Sequence, residues 1–295
     1  MTAHVKTKPH LRPVRRGRRG RLLPLLFVIL FPMMLCCGLS FLFAPHTDIL
    51  VLGVDSRDGE GWVARADSVM LVGVDPRRFG VTMMSIPRDL SIDVPGYGIQ
   101  RVNTVNMLGE MEEPGYGPDL TKAGIAQSFG VTPERYVRLD FNGFVRLIDA
   151  VGGVTINVER AIVDYAYPTA DGGTMTVEFQ TGSQHMDGER ALIYARTRHA
   201  DDDYMRASRQ QQVVSALLGK MIVPVYWPAV AGALAQTVDT DLNLWDIVTL
   251  APPILIGGSR GERLVIDRGY ITTTANGVAV PDYELIGPWL DAYFE

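Results

Sequence analysis

The chain has 295 residues, 47% of them apolar, which is enough for one large domain or two small ones. Its formal net charge of −5 conceals an uneven distribution, because residues 1–21 hold eight Lys and Arg and no acidic residue, whereas the rest holds 20 Lys and Arg against 33 Asp and Glu. A body this acidic is a poor candidate for binding nucleic acid.

An uncharged stretch of 23 residues follows at positions 22–44. As a helix with a rise of about 1.5 Å per residue it would measure roughly 34 Å, enough to cross a bilayer. The basic residues before it predict a cytoplasmic N-terminus. A cleaved signal peptide is the alternative, but its apolar core would be shorter, about 7–15 residues, and would end in a small-residue cleavage site. We therefore predict a cytoplasmic tail (1–21), a single transmembrane anchor (22–44) and an extracytoplasmic domain (45–295).

Both cysteines, Cys36 and Cys37, lie within the predicted anchor. The exported body therefore contains no disulfide and no cysteine nucleophile, and Cys-ligated zinc is excluded. Its stability has to come from a hydrophobic core.

Three apolar runs at the start of the body predict buried strands, at 49–54, 69–74 and 81–86. If these neighbours pair antiparallel, the end of the first, the start of the second and the end of the third meet at one edge of the sheet. Asp55, Asp67 and Arg88 would then converge, and loops at strand ends are where sheets commonly hold their chemistry.

The two aspartates of this edge could bind a divalent cation. Magnesium usually takes one or two carboxylates together with phosphate oxygens and water, so Asp55 and Asp67 are candidate ligands. The alternative is that both are turn residues, with Asp67 capping or pairing with Arg65. Arg88 could likewise form a local salt bridge with Asp89. The sequence also does not decide whether Arg101 binds a ligand or forms a local salt bridge.

The remaining elements indicate an α/β protein with one mixed sheet. Residues 96–117 are rich in Gly and Pro and are predicted to form a loop. Helices are predicted at 121–129, 141–148, 226–236, 244–250 and 283–294, and further strands at 154–158 and 174–179.

An arginine-rich stretch at 191–212 is the most distinctive part of the sequence. Residues 194–198 are predicted to be extended, so Arg196 and Arg198 would point the same way, because alternate side chains of a strand share a face. Neighbouring guanidinium groups repel unless an anion lies between them. The planar fork of arginine suits phosphate and carboxylate.

A helix is predicted after the acidic run 201–203, which offers an N-cap. Spacings of three and four place Arg206, Arg209 and Gln210 on one of its faces. Its apolar residues fall where a buried stripe is expected: Val213, Val214, Leu217, Leu218 and Met221. The acidic run could instead neutralise the arginines in a surface network, but three carboxylates are too few for four arginines. The stretch therefore predicts an oxyanion site of the phosphate type.

Several segments of this chain, taken in order, resemble those of the LytR–CpsA–Psr family of bacterial cell-envelope proteins. Four segments carry the resemblance, 49–72, 84–103, 140–158 and 182–212, and the likeness spans roughly residues 48–295, including the closing run 280–294. The resemblance implies an α/β/α sandwich around a central mixed sheet, preceded by a single transmembrane helix. It also implies a phosphotransferase that moves a glycopolymer from a polyprenyl-diphosphate carrier onto peptidoglycan, with pyrophosphatase as a side activity.

The resemblance also assigns roles to residues. Asp55 and Asp67 would be the ligands of Mg²⁺ or Mn²⁺. Apart from the resemblance, our hypothesis for the catalytic base that accepts the proton of the attacking hydroxyl is a carboxylate near the catalytic Arg88, either Asp55 or Asp89. The residues that would hold the pyrophosphate are Arg65, Arg88, Arg101, Arg196, Arg198, Arg206, Arg209 and Gln210. The lipid tail would lie in an apolar tunnel between the sheet and the helices.

Two other functions fit the same features. One is a non-catalytic scaffold that binds polyprenyl phosphate without transferring the polymer. The other is a membrane-bound regulator of envelope genes, although a tail of 21 residues is too short for a folded DNA-binding domain.

Overall fold

The computed structural model describes residues 45–56, 61–169, 172–197, 203–258, 261–274 and 277–294. The predicted tail and anchor lie outside these ranges, as do Arg198, Asp201 and Asp202. Within the described ranges no single helix is long and apolar enough to cross a membrane. Helices Tyr204–Met221 and Pro224–Thr237 reach that length and hydropathy only as a pair, with a bend of 96° between them.

Fourteen strands lie in the described residues: β1 (Thr47–Val54), β2 (Ala66–Asp75), β3 (Gly80–Ile86), β4 (Ser91–Val94), β5 (Gly98–Arg101), β6 (Arg135–Asp140), β7 (Val154–Val158), β8 (Ile162–Pro168), β9 (Thr174–Phe179), β10 (Gly182–Met186), β11 (Val238–Thr240), β12 (Glu262–Val265), β13 (Ile271–Thr273) and β14 (Ala279–Pro281). The same part of the chain contains eight α-helices: α1 (Val102–Glu112), α2 (Gly117–Phe129), α3 (Phe141–Ala150), α4 (Gly188–Arg196), α5 (Asp203–Met221), α6 (Trp227–Thr237), α7 (Leu244–Gly257) and α8 (Tyr283–Tyr293).

The central sheet has six strands in the order β11-β6-β1-β2-β3-β12. The first three strands of the chain pair antiparallel, as predicted, whereas β6 runs parallel to β1 and β12 runs parallel to β3. The prediction of a mixed sheet is therefore confirmed. The other eight strands form four two-stranded sheets.

Helices cover both faces of this sheet. Leu50 and Leu52 of β1 point into a core shared with α1, α2 and α8, whereas Ile49 points into a second core that includes Leu250 of α7. Because alternate residues of a strand face opposite sides, a strand covered on both sides has to be apolar along its whole length. This explains the continuous apolar run at 49–54.

A third core lies under the two-stranded sheets β7–β10 and β8–β9, where Phe179 and Tyr194 pack together with their rings 5.1 Å apart. Helix α5 joins this core to the sheet, because Val213 contacts the third core and Val214 contacts the core beneath α7. The predicted buried stripe of this helix is confirmed, and it serves two cores.

Two predictions were wrong. Residues 194–196 are not extended but form the last turn of α4, which begins where the Asp187 side chain accepts a hydrogen bond from Arg190 N at 2.8 Å. Ala191, Tyr194 and Ala195 are buried at helical spacing, and this burial stabilises a helix of only nine residues. Residues 96–117 are not a loop either, because they contain β5 and α1.

Candidate functional site

A β-bulge shapes the edge of the sheet where β1 ends and β2 begins. Gly53 pairs with Ser68 and Val54 pairs with Ala66, so Asp67 is the extra residue on β2. Bulges re-aim a side chain and often lie beside functional sites. Beyond the bulge Asp55 N donates to Arg65 O at 3.0 Å, which keeps the end of β1 close to the segment that leads into β2. The structure thus brings Asp55 and Asp67 to the same edge, as the hairpin predicted.

Arg88 reaches this edge from the end of β3. Its Nη1 lies 3.1 Å from Asp67 Oδ1, and its Nε lies 3.5 Å from Asp89 Oδ2. The side chains of Arg88 and Asp67 are 20% and 27% exposed, so the pair is accessible from solvent. Arg101 Nη1 lies 3.7 Å from Asp89 Oδ1, but its side chain is largely exposed. The predicted convergence of Arg88 with Asp67 is confirmed.

Helix α5 is attached to the same edge through two consecutive glutamines. Gln210 Oε1 accepts a hydrogen bond from Ser68 Oγ at 3.0 Å, next to Asp67. Gln211 Nε2 donates to Ser85 Oγ and to Leu264 O, both at 2.9 Å. Gln210 therefore lies at the candidate site, whereas Gln211 fixes the helix to the sheet.

Arg196 also lies at this edge of the sheet. Its guanidinium carbon is 4.0 Å from the centre of the Phe141 ring and 6.0 Å from that of Tyr167. Phe141 directly follows the last residue of β6, which pairs with the last residue of β1. Burial raises the pKa of Tyr167, although Arg196 opposes the shift. Contact with the Phe141 ring therefore holds the guanidinium in place at this edge.

The side chain of Arg209 has a different environment. It is 2% exposed, and its Nε donates to Tyr194 O at 3.1 Å while its Nη2 donates to Thr197 O. These carbonyls belong to the end of α4, where the last carbonyl groups of a helix have no partner within the helix. Arg209 thus caps α4, a role that the sequence did not indicate. Arg206, one turn earlier on α5, is also buried.

Comparison with known proteins places the chain in a family. The sequence pattern that defines the LytR_cpsA_psr family matches residues 44–261, well over half of the chain. The chain belongs to the LytR_cpsA_psr family. This assignment agrees with the resemblance noted from the four segments.

Two curated members of the family illustrate the likeness. The polyisoprenyl-teichoic acid–peptidoglycan teichoic acid transferase TagU of Oceanobacillus iheyensis is 33% identical over 211 residues, which cover 69% of this chain and 61% of TagU. The regulatory protein MsrR of Staphylococcus aureus is 36% identical over 200 residues, which cover 66% of this chain and 56% of MsrR. The chain thus spans less than two thirds of the length of either relative.

A solved structure of the family has the same fold. TagT bound to LIIa-WTA superimposes with a TM-score of 0.64 at 25% sequence identity, over 85% of this chain and 91% of that chain. The mixed sheet with flanking helices is therefore shared with a LytR_cpsA_psr structure.

Behind the site of this LytR_cpsA_psr protein lies a buried polar network that the sequence analysis missed. Arg138 of β6 is 1% exposed, and its Nη1 donates to Glu110 Oε1 at 2.5 Å while its Nη2 donates to Asp239 Oδ2 at 2.6 Å. Its guanidinium carbon also lies 4.4 Å from the Trp62 ring. The available signal was an arginine in the interior of a short strand, which needs charged partners if it is buried.

This network supports the segment that leads into Asp67. Asn106 Nδ2 donates to Trp62 O at 3.1 Å and to Ala64 O at 3.0 Å, while its Oδ1 accepts from Arg138 Nη1 at 3.0 Å. One asparagine thus connects the buried arginine to the chain three to five residues before the bulge. The network fixes the approach to Asp67.

Glu110 is held in its ionised form by the same contacts. Burial alone would raise the pKa of Glu110, but hydrogen bonds from Gly115 N and Arg138 outweigh that effect and lower the pKa below its usual value. A charged Glu110 is what the buried Arg138 requires, because an unpaired buried guanidinium is costly.

Proposed function

We propose that this LytR_cpsA_psr family member is a phosphotransferase that moves a glycopolymer from a polyprenyl-diphosphate carrier onto peptidoglycan. The observation that carries the proposal is the convergence of the Arg88–Asp67 pair with Arg196 and Asp55 at one edge of the sheet. TagU, a relative, is named as a transferase of teichoic acid to peptidoglycan, and TagT was solved with LIIa-WTA. Both names support a glycopolymer as the transferred group.

The chemistry requires cations held around a phosphoanhydride. Phosphoryl transfer depends mostly on positioning and on neutralising charge that develops on the phosphoryl oxygens. Arg88 and Arg196 would bind those oxygens, since both guanidinium groups are oriented by neighbours and remain partly accessible. Gln210 would add an uncharged contact from α5. Arg65 and Arg101 are exposed around the same edge, and Arg198 lies outside the described residues.

The carboxylates of Asp55 and Asp67 fit a divalent cation. No group of three or more His, Cys, Asp or Glu side chains suited to a metal occurs among the described residues. Two carboxylates nevertheless match the requirement of Mg²⁺ or Mn²⁺, which take phosphate oxygens and water as their other ligands. When bound, the cation would neutralise negative charge on the pyrophosphate.

The transfer step can be written with its atoms balanced. A hydroxyl oxygen of a peptidoglycan sugar forms a bond to the phosphorus that carries the glycopolymer. The bond from that phosphorus to the bridging oxygen breaks, and polyprenyl phosphate leaves. The hydroxyl proton passes to a carboxylate, for which Asp89, half-exposed and 3.5 Å from Arg88, and Asp55 are the candidates. If water replaces the sugar hydroxyl, the same step is a pyrophosphatase reaction.

The predicted anchor would hold the domain beside its lipid-linked donor. With residues 22–44 across the membrane and the basic tail in the cytoplasm, residues 45–295 would face the cell wall, where both the carrier and peptidoglycan are accessible.

The experiment uses the full chain in lipid nanodiscs with a polyprenyl-diphosphate-linked saccharide and a peptidoglycan acceptor. Release of polyprenyl phosphate is measured with Mg²⁺ and with a chelator, for the wild type, Arg88→Ala and the matched variant Arg78→Ala. Arg78 is highly exposed and pairs with Asp75 at the opposite edge of the sheet. Release should require Mg²⁺ and Arg88 but not Arg78. Tight binding of the lipid with no release under any condition would favour the non-catalytic scaffold.

A further inference from the structure

The faces of helix α7 are reversed relative to those of an ordinary surface helix. Its polar residues Asp246 and Thr249 are buried with Leu250 and Pro253. The exposed face carries large apolar side chains instead: Leu244, Trp245, Ile247, Val248 and Ile256. Leu244 is 77% exposed and Trp245 is 58% exposed. A helix on a water-exposed surface normally shows the opposite pattern.

The buried contacts prevent α7 from rotating to hide these side chains. Asp246 Oδ2 accepts from Arg135 Nε at 2.6 Å and from Asn243 N at 3.0 Å, in a capping box at the start of the helix. Burial alone would raise the pKa of Asp246, but these two contacts keep the pKa below its usual value. Leu250 lies in the core beneath the sheet. Because these contacts fix the inner face of α7, its apolar face has to point outward.

The surrounding segment is also depleted in charge. Residues 221–258 contain no Lys, Arg or His. Their three carboxylates each pair with a cation from another element: Asp239 with Arg138, Asp241 with Lys122 and Asp246 with Arg135. No charged group of this segment therefore opposes transfer of the α7 face out of water.

Helix α7 lies at the edge of the sheet opposite the candidate site. It begins beside Arg135, the first residue of β6, and at its end Gly257 lies against Phe79 and Val81, where β3 begins. The same edge holds Thr47, the first residue of β1. Residue 45 follows directly on the uncharged stretch 22–44. A strand of eight residues spans roughly 23 Å, which separates this edge from the Asp67–Arg88 pair.

We propose that the exposed face of α7 inserts into the interfacial region of a lipid bilayer. Apolar patches on soluble proteins mark interaction surfaces, and Trp and aliphatic side chains without nearby charge suit the boundary between headgroups and acyl chains. Docking through α7 places the opposite edge of the sheet away from the bilayer, on the side where peptidoglycan lies, so a lipid-linked donor bound there would extend its tail back towards the bilayer along the predicted tunnel between the sheet and the helices. The docking does not require transfer activity.

The test measures contact between lipid and a fluorescent label in the full chain. Cys36 and Cys37 are replaced by serine, and a single cysteine carrying an NBD group is introduced by Val248→Cys on α7 or by Val63→Cys beside the candidate site. Both valines are exposed, at 39% and 52%. Each protein is placed in phosphatidylcholine nanodiscs with and without phosphatidylcholine that carries a doxyl quencher near the headgroup.

The label at position 248 should shift its emission to the blue and lose fluorescence to the doxyl lipid, whereas the label at position 63 should do neither. The double variant Leu244→Asp/Ile247→Asp should abolish both effects at position 248, because its charges oppose insertion but remain compatible with water. Leu285→Asp, an exposed position on α8, should leave them intact.

Equal quenching at positions 248 and 63, or quenching that survives the double aspartate variant, would overturn the proposal. A blue shift at position 248 without quenching by the doxyl lipid would also overturn it, because protein from a second copy would then cover the helix.

Discussion

Arg88 Nη1 lies 3.1 Å from Asp67 Oδ1, and this contact joins the end of β3 to the bulge at the start of β2. The two residues are 21 positions apart in the sequence and come together because β2 pairs antiparallel with both β1 and β3. The contact is partly exposed, so it contributes little to stability. The contact instead orients both side chains, Arg88 for the proposed phosphate and Asp67 for the proposed cation.

Arg88→Lys should separate charge from geometry at this site. Lysine keeps the positive charge but lacks the planar fork that binds two oxygens, so kcat should fall less than in Arg88→Ala. For the alanine variant we expect a loss of about a hundredfold to a thousandfold. Polyprenyl phosphate release and Tm are measured together. Equal activity of wild type and Arg88→Ala, with unchanged Tm, would remove Arg88 from the mechanism.

Asp67→Asn should raise the Mg²⁺ concentration needed for half-maximal activity. The amide keeps the size of the side chain but removes the charge that binds the cation. Asp119→Asn, on the outside of α2, provides the matched control because its carboxylate is 58% exposed and pairs with Lys122. A metal titration of activity that is identical for all three proteins would argue against Asp67 as a ligand.

Arg209→Met should lower stability more than it lowers donor binding. Methionine fills the space of the arginine stem but removes the two hydrogen bonds that Arg209 donates to the buried carbonyls of Tyr194 and Thr197, at a cost of about 1–3 kcal/mol. Thermal melting of the detergent-solubilised chain and the Kd for polyprenyl diphosphate are the measurements. Unchanged melting with a large loss of affinity would instead support the phosphate-binding role predicted from the sequence.

Glu110→Gln should destabilise the protein at neutral pH by about 3 kcal/mol, because it removes the buried carboxylate that pairs with Arg138 and leaves the partly exposed Asp239 as its charged partner. The pKa of Glu110 is lowered in the folded protein, so its contribution is fully present above the unfolded value, about 4.3, and is lost as pH falls through the folded value. The difference in Tm between wild type and variant should therefore shrink as the pH is lowered from 6 towards 3. A difference that is independent of pH would show that Glu110 acts through packing alone.

The sequence by itself determined the framework of the site. The apolar runs of β1, β2 and β3 follow one another along the chain, and consecutive strands commonly pair with their neighbours. Local pattern was therefore sufficient to predict the mixed sheet and the meeting of Asp67 with Arg88. It was also sufficient for the apolar stripe of α5, whose spacing is a property of the helix alone.

Tertiary structure decided the features that depend on distant partners. Helix α4 is too short for its pattern to distinguish it from a strand, and burial against the third core selects the helix. The capping role of Arg209 requires carbonyls that only the packing of α5 against α4 brings near. The two carboxylates that pair with Arg138 are distant in the sequence: Glu110 is 28 positions away and Asp239 is 101 positions away. The sequence of the predicted helix at 244–250 did not indicate which of its faces would be exposed. Contacts with Arg135 and with the sheet place Asp246 on the buried face and the apolar side chains on the exposed face.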